Sequence, residues 1–234
     1  MLTAETIFIR DLTEERKEQM FALMQSYYEN VNIDNFTSDL ERKDLIILLK
    51  KEEVLCGFST QLLSRCTFSG HTVKFLFSGD TIIAKEHRNS LALPLAWGKR
   101  MLAEIRDEPE IPLYWLLTTK GYKTYRYLSV FFKEFFPSPE KEISDFEQTA
   151  METFTSLICK ESLDRAKWII KASPQSQKLR KGVADITESR LKNRDIAFFE
   201  ELNPGHADGD ELVCLALFSE ENLTPFILRK LKTL

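Results

Sequence analysis

Two hydrophobic periods divide the chain. From Val73 to Ile83 the apolar residues Val73, Phe75, Leu76, Phe77, Ile82 and Ile83 are β-branched and aromatic types in a run too short for a buried helix, which predicts a strand after the Ser69-Gly70 turn. From Leu91 the apolar positions recur every three to four residues, at Leu95, Trp97, Met101, Leu102 and Ile105. That spacing predicts a helix to Arg106, with Ser90 placed as a cap and Pro94 tolerated only near the start. A polar junction, Glu86 to Leu93, joins the two. Upstream, a strand is expected near Thr6 to Arg10, then a helix capped by Thr13 and carrying Met20, Leu23, Met24 and Tyr27, and a short helix over Thr37 to Arg42. Strands over Leu45 to Leu49 and Val54 to Leu63, separated by the charged turn Lys50 to Glu53, form a meander with the Val73–Ile83 strand. Leu113 to Thr119, LYWLLTT, is apolar without alternation, which predicts a strand covered on both faces and parallel to the Val73–Ile83 strand across a right-handed crossover.

The next helix, Tyr122 to Phe136, is closed by Pro137-Ser138-Pro139. Ser144 and Glu147 fit a capping box ahead of Phe146, Ala150, Phe154, Leu157 and Ile158, and a further helix is expected through Trp168 and Ile169 until Ser173-Pro174. Lys178 to Lys181 reads as a solvated loop or helix end. Ile196 to Leu202, a strand over Glu211 to Phe218 and a helix start at Thr224-Pro225 restore α/β order. The expected architecture is a single mixed α/β (α+β) domain over residues 1–234 with a helical insertion at about 140–180.

A chain of 234 residues with 43% hydrophobic content is long enough for a packed core. Its net charge of -4 argues against a nucleic-acid surface, and its longest aliphatic run, Leu45 to Leu49, is too short to span a bilayer. Cys56, Cys66, Cys159 and Cys214 form no CxxC pair and read as structural thiols in a reducing compartment. These features predict a cytoplasmic protein with no nucleic-acid or membrane partner. The histidines His71, His87 and His206 lack metal-ligand spacing, so no metal is expected.

The junction carries chemistry of its own. The first amides of a helix lack intrahelical partners and that end is positive, so a diphosphate placed there meets main-chain donors. Arg88 adds a cation, and Pro94, which has no N–H, limits the cradle to Asn89, Ser90, Leu91, Ala92 and Leu93. From the local pattern alone, an ordinary strand-to-helix turn is the simpler reading.

The element order, with the segment GDTIIAKEHRNSLALPLA, resembles the N-acetyltransferase (GNAT) superfamily of acyl-CoA transferases. Arg88 takes the first position of that superfamily's acyl-CoA motif, whereas Leu91 and Leu93 stand where small residues are usual and amide donation alone survives. The resemblance implies a largely antiparallel sheet with a splayed parallel strand pair, flanking helices, and acyl-CoA (coenzyme A) as co-substrate. It places the thioester carbonyl on the amides of Ile82 and Ile83 and a thiolate-protonating Tyr in the helix after Leu113–Thr119. Tyr127 is the first candidate there and Tyr125 the second, since Tyr125 shares an apolar stripe with Leu128, Phe132 and Phe135. Lys120, Lys123 and Arg126 crowd the same turn, within reach of the phosphates.

The resemblance also implies a carboxylate base part-way along the Val73–Ile83 strand, near Phe77, where none stands. Asp80 is the nearest acid, and strict alternation puts it with Ser78 on the face opposite Phe77, as a base or as a structural acid. Phe68, Phe75, Phe77, Leu91, Leu93, Trp97, Phe131 and Phe132, with Phe154, Trp168 and Ile169, read as lining for a large acyl group or as plain core. The implied function is transfer of an acyl group, with a long-chain fatty acyl group as one candidate, from acyl-CoA or an acyl carrier protein to a primary amine of a small molecule or peptide side chain. The alternative is a catalytically inactive acyl-CoA-binding or regulatory module of the same fold.

Overall fold

The computed structural model describes residues 1–159 and 163–233. The chain runs β1 (Leu2–Phe8), α1 (Glu14–Tyr27), β2 (Tyr28–Glu29), α2 (Ile33–Glu41), β3 (Leu45–Lys51), β4 (Val54–Phe68) and β5 (His71–Ile83). It continues through α3 (Ala92–Asp107), β6 (Leu113–Thr119), α4 (Tyr122–Phe131), α5 (Asp145–Ile158), β7 (Leu163–Asp164), β8 (Ile169–Ile170) and β9 (Lys178–Leu179). Last come α6 (Glu188–Leu191), α7 (Arg194–Leu202), β10 (Glu211–Phe218) and α8 (Pro225–Lys232).

Eight strands form one sheet in the order β1-β3-β4-β5-β6-β10-β8-β7. Among the described residues only β5 and β6 pair in parallel, and every other pairing is antiparallel. This is the mixed sheet that the sequence order implies. It also explains the uniformly apolar LIILL of β3. Ile46 and Leu48 face a core built with Met20, Met24, Phe36 and Leu40 of α1 and α2, while Leu45, Ile47 and Leu49 face the larger core under α3, α4 and α5. Among the described residues no helix is long and apolar enough to cross a membrane.

Local signals behave as the sequence suggests at several ends. Thr13 accepts from the amide of Arg16 (3.2 Å), and Ser144 donates its amide to Glu147 Oε2 (3.1 Å). Three expectations fail. The helix from Tyr122 ends at Phe131, because Phe132 and Phe136 turn to bridge Leu223 and Leu215. The helix expected through Trp168 and Ile169 is absent: Ile169 and Ile170 form β8, which pairs with β10, while Lys160, Glu161 and Ser162 of the expected insertion lie outside the described residues. Lys178 to Lys181 is no solvated loop. Its first residues form β9, paired with β2 at the end of α1, and Arg180 donates to the carbonyls of Tyr27 and Gln25. Longer-range pairing decides all three, and a local pattern does not report it.

Gly57 of β4 fixes how closely β5 approaches. A Cβ at that position would stand 2.6 Å from the main-chain oxygen of Ile82, which cannot move without opening the β4–β5 ladder. Gly57→Ala is therefore expected to destabilise the fold by about 1–3 kcal/mol. An unchanged thermal midpoint would show that the two strands are not held at this spacing.

Candidate functional site

β5 and β6 pair from Lys74/Leu113 to Ser78/Leu117 and then part. Beyond that last rung Gly79 to Ile83 and Thr118 to Lys120 line the two sides of an open groove of about 1000 Å³. The cause of the parting lies in the β4–β5 register. Ser59 pairs with Thr81 but Gln61 pairs with Ser78, so Gly79 and Asp80 oppose Thr60 alone in a bulge. Gly79 has no room for a side chain there, since a Cβ would stand 2.6 Å from Thr60 Oγ1.

The bulge shifts the facing of everything beyond it by one residue. Asp80 joins Phe77 in the groove, while Ser78 turns into the core, where it accepts from Trp115 Nε1 (3.0 Å) and donates to Gln61 Oε1 (2.7 Å). Strict alternation had placed Asp80 with Ser78, away from Phe77; the structure reverses that. Burial pushes the Asp80 carboxyl up to about 7, with Asp39 adding to the rise and Lys120 and Lys43 opposing it.

Register also sorts the two proposed oxyanion donors. Ala84 donates to Cys56 O (2.8 Å), which makes Cys56/Ala84 and, two residues on, Phe58/Ile82 the hydrogen-bonded rungs. The Ile82 amide is thus committed to β4. Ile83, between those rungs, directs its amide and carbonyl to the open side, and its carbonyl accepts from Arg88 Nε (3.2 Å). Thr81 faces the same way, so Thr81 and Ile83 take the place expected of Ile82 and Ile83.

The two tyrosines separate cleanly. Tyr125 is 0% exposed and donates to Pro137 O (2.9 Å), so it belongs to the core and leaves the list of catalytic candidates. Tyr127 borders both the groove and a cavity of about 30 Å³ beneath it, which is also lined by Thr81, Leu93, Trp97, Trp115 and Phe131. Burial raises the Tyr127 phenol above its ordinary value, which keeps it protonated and able to donate. The supposed acyl lining is mostly closed packing. Trp97 lies 4.6 Å from Trp115 and 5.3 Å from Phe131 between ring centres, Phe75 stacks on Phe154 at 5.3 Å, and Phe77 alone of that group reaches the groove.

The proposed amide cradle is reduced. The amide of Ser90 donates to His87 O and that of Ala92 to Ser90 Oγ (3.1 Å), while Leu93 is buried. Of Arg88 to Leu93, only Arg88 and Asn89 line the groove. Cations gather at the same end of the groove. Arg88 Nη1 (3.2 Å) and Lys123 Nζ (2.5 Å) both donate to the carbonyl of Val183, and Arg88 lies over the ring of Tyr27 at 5.0 Å. Burial, with repulsion from Arg88 and Arg190, holds the Lys123 ammonium down at about 8.

Across the groove Lys120 pairs with Glu211 (2.7 Å) and Lys43 with Asp39 (2.6 Å). Burial alone would raise Glu211, but Lys120 outweighs it and holds the carboxyl below its ordinary range. Sequence reasoning missed Glu211, Asp39 and Arg190. Each lies far along the chain from the junction and carries no local signal.

No family model matches the sequence, and no curated protein is significantly similar to it. Among solved structures the chain is similar to an Enterococcus faecalis protein described as a probable N-acyltransferase, with 18% identity, a TM-score of 0.42, and coverage of 58% of this chain and 33% of that one. The chain thus spans about a third of that protein's length. It is also similar to Escherichia coli ElaA, with 17% identity, a TM-score of 0.40, and coverage of 62% of this chain and 94% of that one. Saccharomyces cerevisiae N-myristoyltransferase with bound myristoyl-CoA gives 14% identity, a TM-score of 0.37, and coverage of 50% and 31%.

Because Lys123 titrates near 8 beside Arg88 and Arg190, a polyanion seated among them raises its affinity for a proton. Calorimetry at pH 8 with inorganic sulfate, which carries no proton to release at that pH, in buffers of different ionisation heat, is expected to show uptake of up to about half a proton per bound anion. Lys123→Met abolishes that uptake; binding without proton transfer in the unsubstituted protein would contradict the seating.

Proposed function

We propose that the chain is an acyl-CoA-dependent N-acyltransferase acting on a primary amine of a small molecule or a peptide side chain, with residues 1–234 as its catalytic domain in a cytoplasmic setting. One observation carries the reading: the β5 bulge sets Asp80 in the splayed β5–β6 groove that Tyr127 also lines. The two groups share the groove with opposite assignments, a carboxyl that titrates near neutrality and a phenol held protonated.

The acyl-CoA thioester lies in the splay with its carbonyl oxygen on the Ile83 and Thr81 amides, and its phosphates reach Arg88 and Lys123. The amine nitrogen attacks the carbonyl carbon and passes a proton to the Asp80 carboxylate, while the developing oxyanion is stabilised by roughly 3 kcal/mol per well-placed amide. As the C–S bond breaks, Tyr127 protonates the departing thiolate. No covalent acyl-enzyme is required, because attack is direct. The closed aromatic packing under α3 and α4 supports a donor whose acyl chain lies in the groove, including any long fatty chain.

Turnover is read as thiol release from acyl-CoA with a panel of primary amines. Below about pH 7 Asp80 is protonated and cannot accept, so the rate rises with pH through that value. Asp80→Asn is expected to remove that limb and lower kcat by about 10²–10⁴, with Tyr127→Phe lowering it in the same range at unchanged CoA affinity. CoA binding without turnover toward any amine would leave the inactive binding module as the function.

A further inference from the structure

The cationic rim around Arg88 carries more charge than one phosphate needs. Lys85, Arg88, Lys123, Arg126 and Arg190 all line the same groove. Lys123 and Arg190 both lie over the ring of Tyr122, at 5.9 and 5.5 Å. Arg190 is held there by donation to the carbonyl of Asp185, at the start of the turn that leads into α6. The carboxylate close to this cluster is Asp185, which accepts from the amide of Gly182 (2.8 Å). The other acids of the groove, Asp39, Asp80 and Glu211, belong to the end that Lys43 and Lys120 balance.

Arg88, Lys123 and Arg190 are half-buried while Lys85 and Arg126 are exposed, and like charges gathered at a half-buried place destabilise one another unless an anion joins them. The two possible thioester donors differ in what they bring. An arm attached to a carrier protein presents a single phosphodiester, with a charge of about -1, whereas free CoA adds a second diphosphate charge and a 3′-phosphate, for roughly -4 in all. Matching the rim to its ligand selects the second.

Resting on the acyltransferase reading, we infer that Arg190, supplied by the α6 turn, is a donor-specificity residue: with Arg88 and Lys123 it holds the additional phosphates of free CoA and so selects CoA thioesters over carrier-bound phosphopantetheine. The guanidinium acts as a fork for phosphate oxygens, and the ring of Tyr122 beneath it limits its orientation. Arg190 takes no part in the proton transfers.

The test is calorimetry on the full chain with CoA, 3′-dephospho-CoA and 4′-phosphopantetheine. The unsubstituted protein is expected to bind CoA at least about a hundredfold tighter than 4′-phosphopantetheine, with 3′-dephospho-CoA between them. Arg190→Gln should weaken CoA about tenfold and leave 4′-phosphopantetheine within about twofold, and Arg190→Lys should restore most of the loss. Equal affinity for CoA and 4′-phosphopantetheine, or an equal effect of Arg190→Gln on both, overturns the inference while leaving the acyltransferase reading in place. Failure of all three ligands to bind overturns that reading and the inference together. Circular dichroism checks that the variants fold. Should Arg190→Gln not fold, the salt dependence of the unsubstituted protein decides: a steeper loss for CoA than for 4′-phosphopantetheine supports the inference, and parallel slopes refute it.

Discussion

The site depends on the end of one ladder. β5 is tied to β6 as far as Ser78/Leu117 and then leaves it, because the bulge at Gly79 and Asp80 adds a residue to β5 against β4 and increases its local twist. The last paired rung is held from within by a buried polar chain. Trp115 donates to Ser78, Ser78 to Gln61, Gln61 to Ser59, and Ser59 meets Thr81 at 2.6 Å. Each member is satisfied by the next, so the network specifies one strand spacing. Thr81 stands at both the end of that chain and the mouth of the splay. The mouth of the splay is therefore positioned by core hydrogen bonds.

Charge is sorted along the groove. At the Arg88 end the cations outnumber nearby acids and depress Lys123; at the Asp39 end Lys43 and Lys120 are paired with acids while Asp80 is raised. Both shifts begin with removal from water, and the neighbours then fix how far each goes. The first end favours an anion by its charge, and the second holds a carboxyl that titrates near neutrality. The same low-dielectric setting keeps the Tyr127 phenol protonated, so two upward shifts, at Asp80 and Tyr127, and one downward shift, at Lys123, follow from one partly enclosed space.

Much of the frame was legible in the sequence because it is local. The bounds of β6 and β10, the Thr13 and Ser144 caps, and the parallel crossover follow from periodicity and turn residues that act within a few positions. Tyr125 was legible too, since its stripe with Leu128 and Phe135 reports burial. The facing of Asp80 was not. Alternation has a period of two, and a single inserted residue reverses every side chain beyond it, so counting from Phe77 gives the wrong face unless the bulge is known. Gly79 marks the place but does not announce the register shift. Arg190 and Glu211 reach the groove only through tertiary contact, and β9 pairs with a two-residue strand more than a hundred positions earlier. No short window of the sequence contains both halves of such a contact.

The segment after β9 has a physical consequence for the binding end. Two half-buried cations without an acceptor would lose hydration with nothing in return, and the Val183 carbonyl supplies that acceptor to Arg88 and Lys123 together. The turn that presents it is short, closed by Val183 N–H to Arg180 O (3.1 Å), with Gly182 in the left-handed region at φ 87°. A carbonyl is a dipole, whereas a phosphate oxygen carries a full charge, so guanidinium and ammonium groups attract the phosphate more strongly. The carbonyl keeps the donors aligned while holding them less tightly than an anion does. Under the proposed function, exchange of the carbonyl for a phosphate oxygen would leave the cations where they are and lose little binding free energy to ordering them.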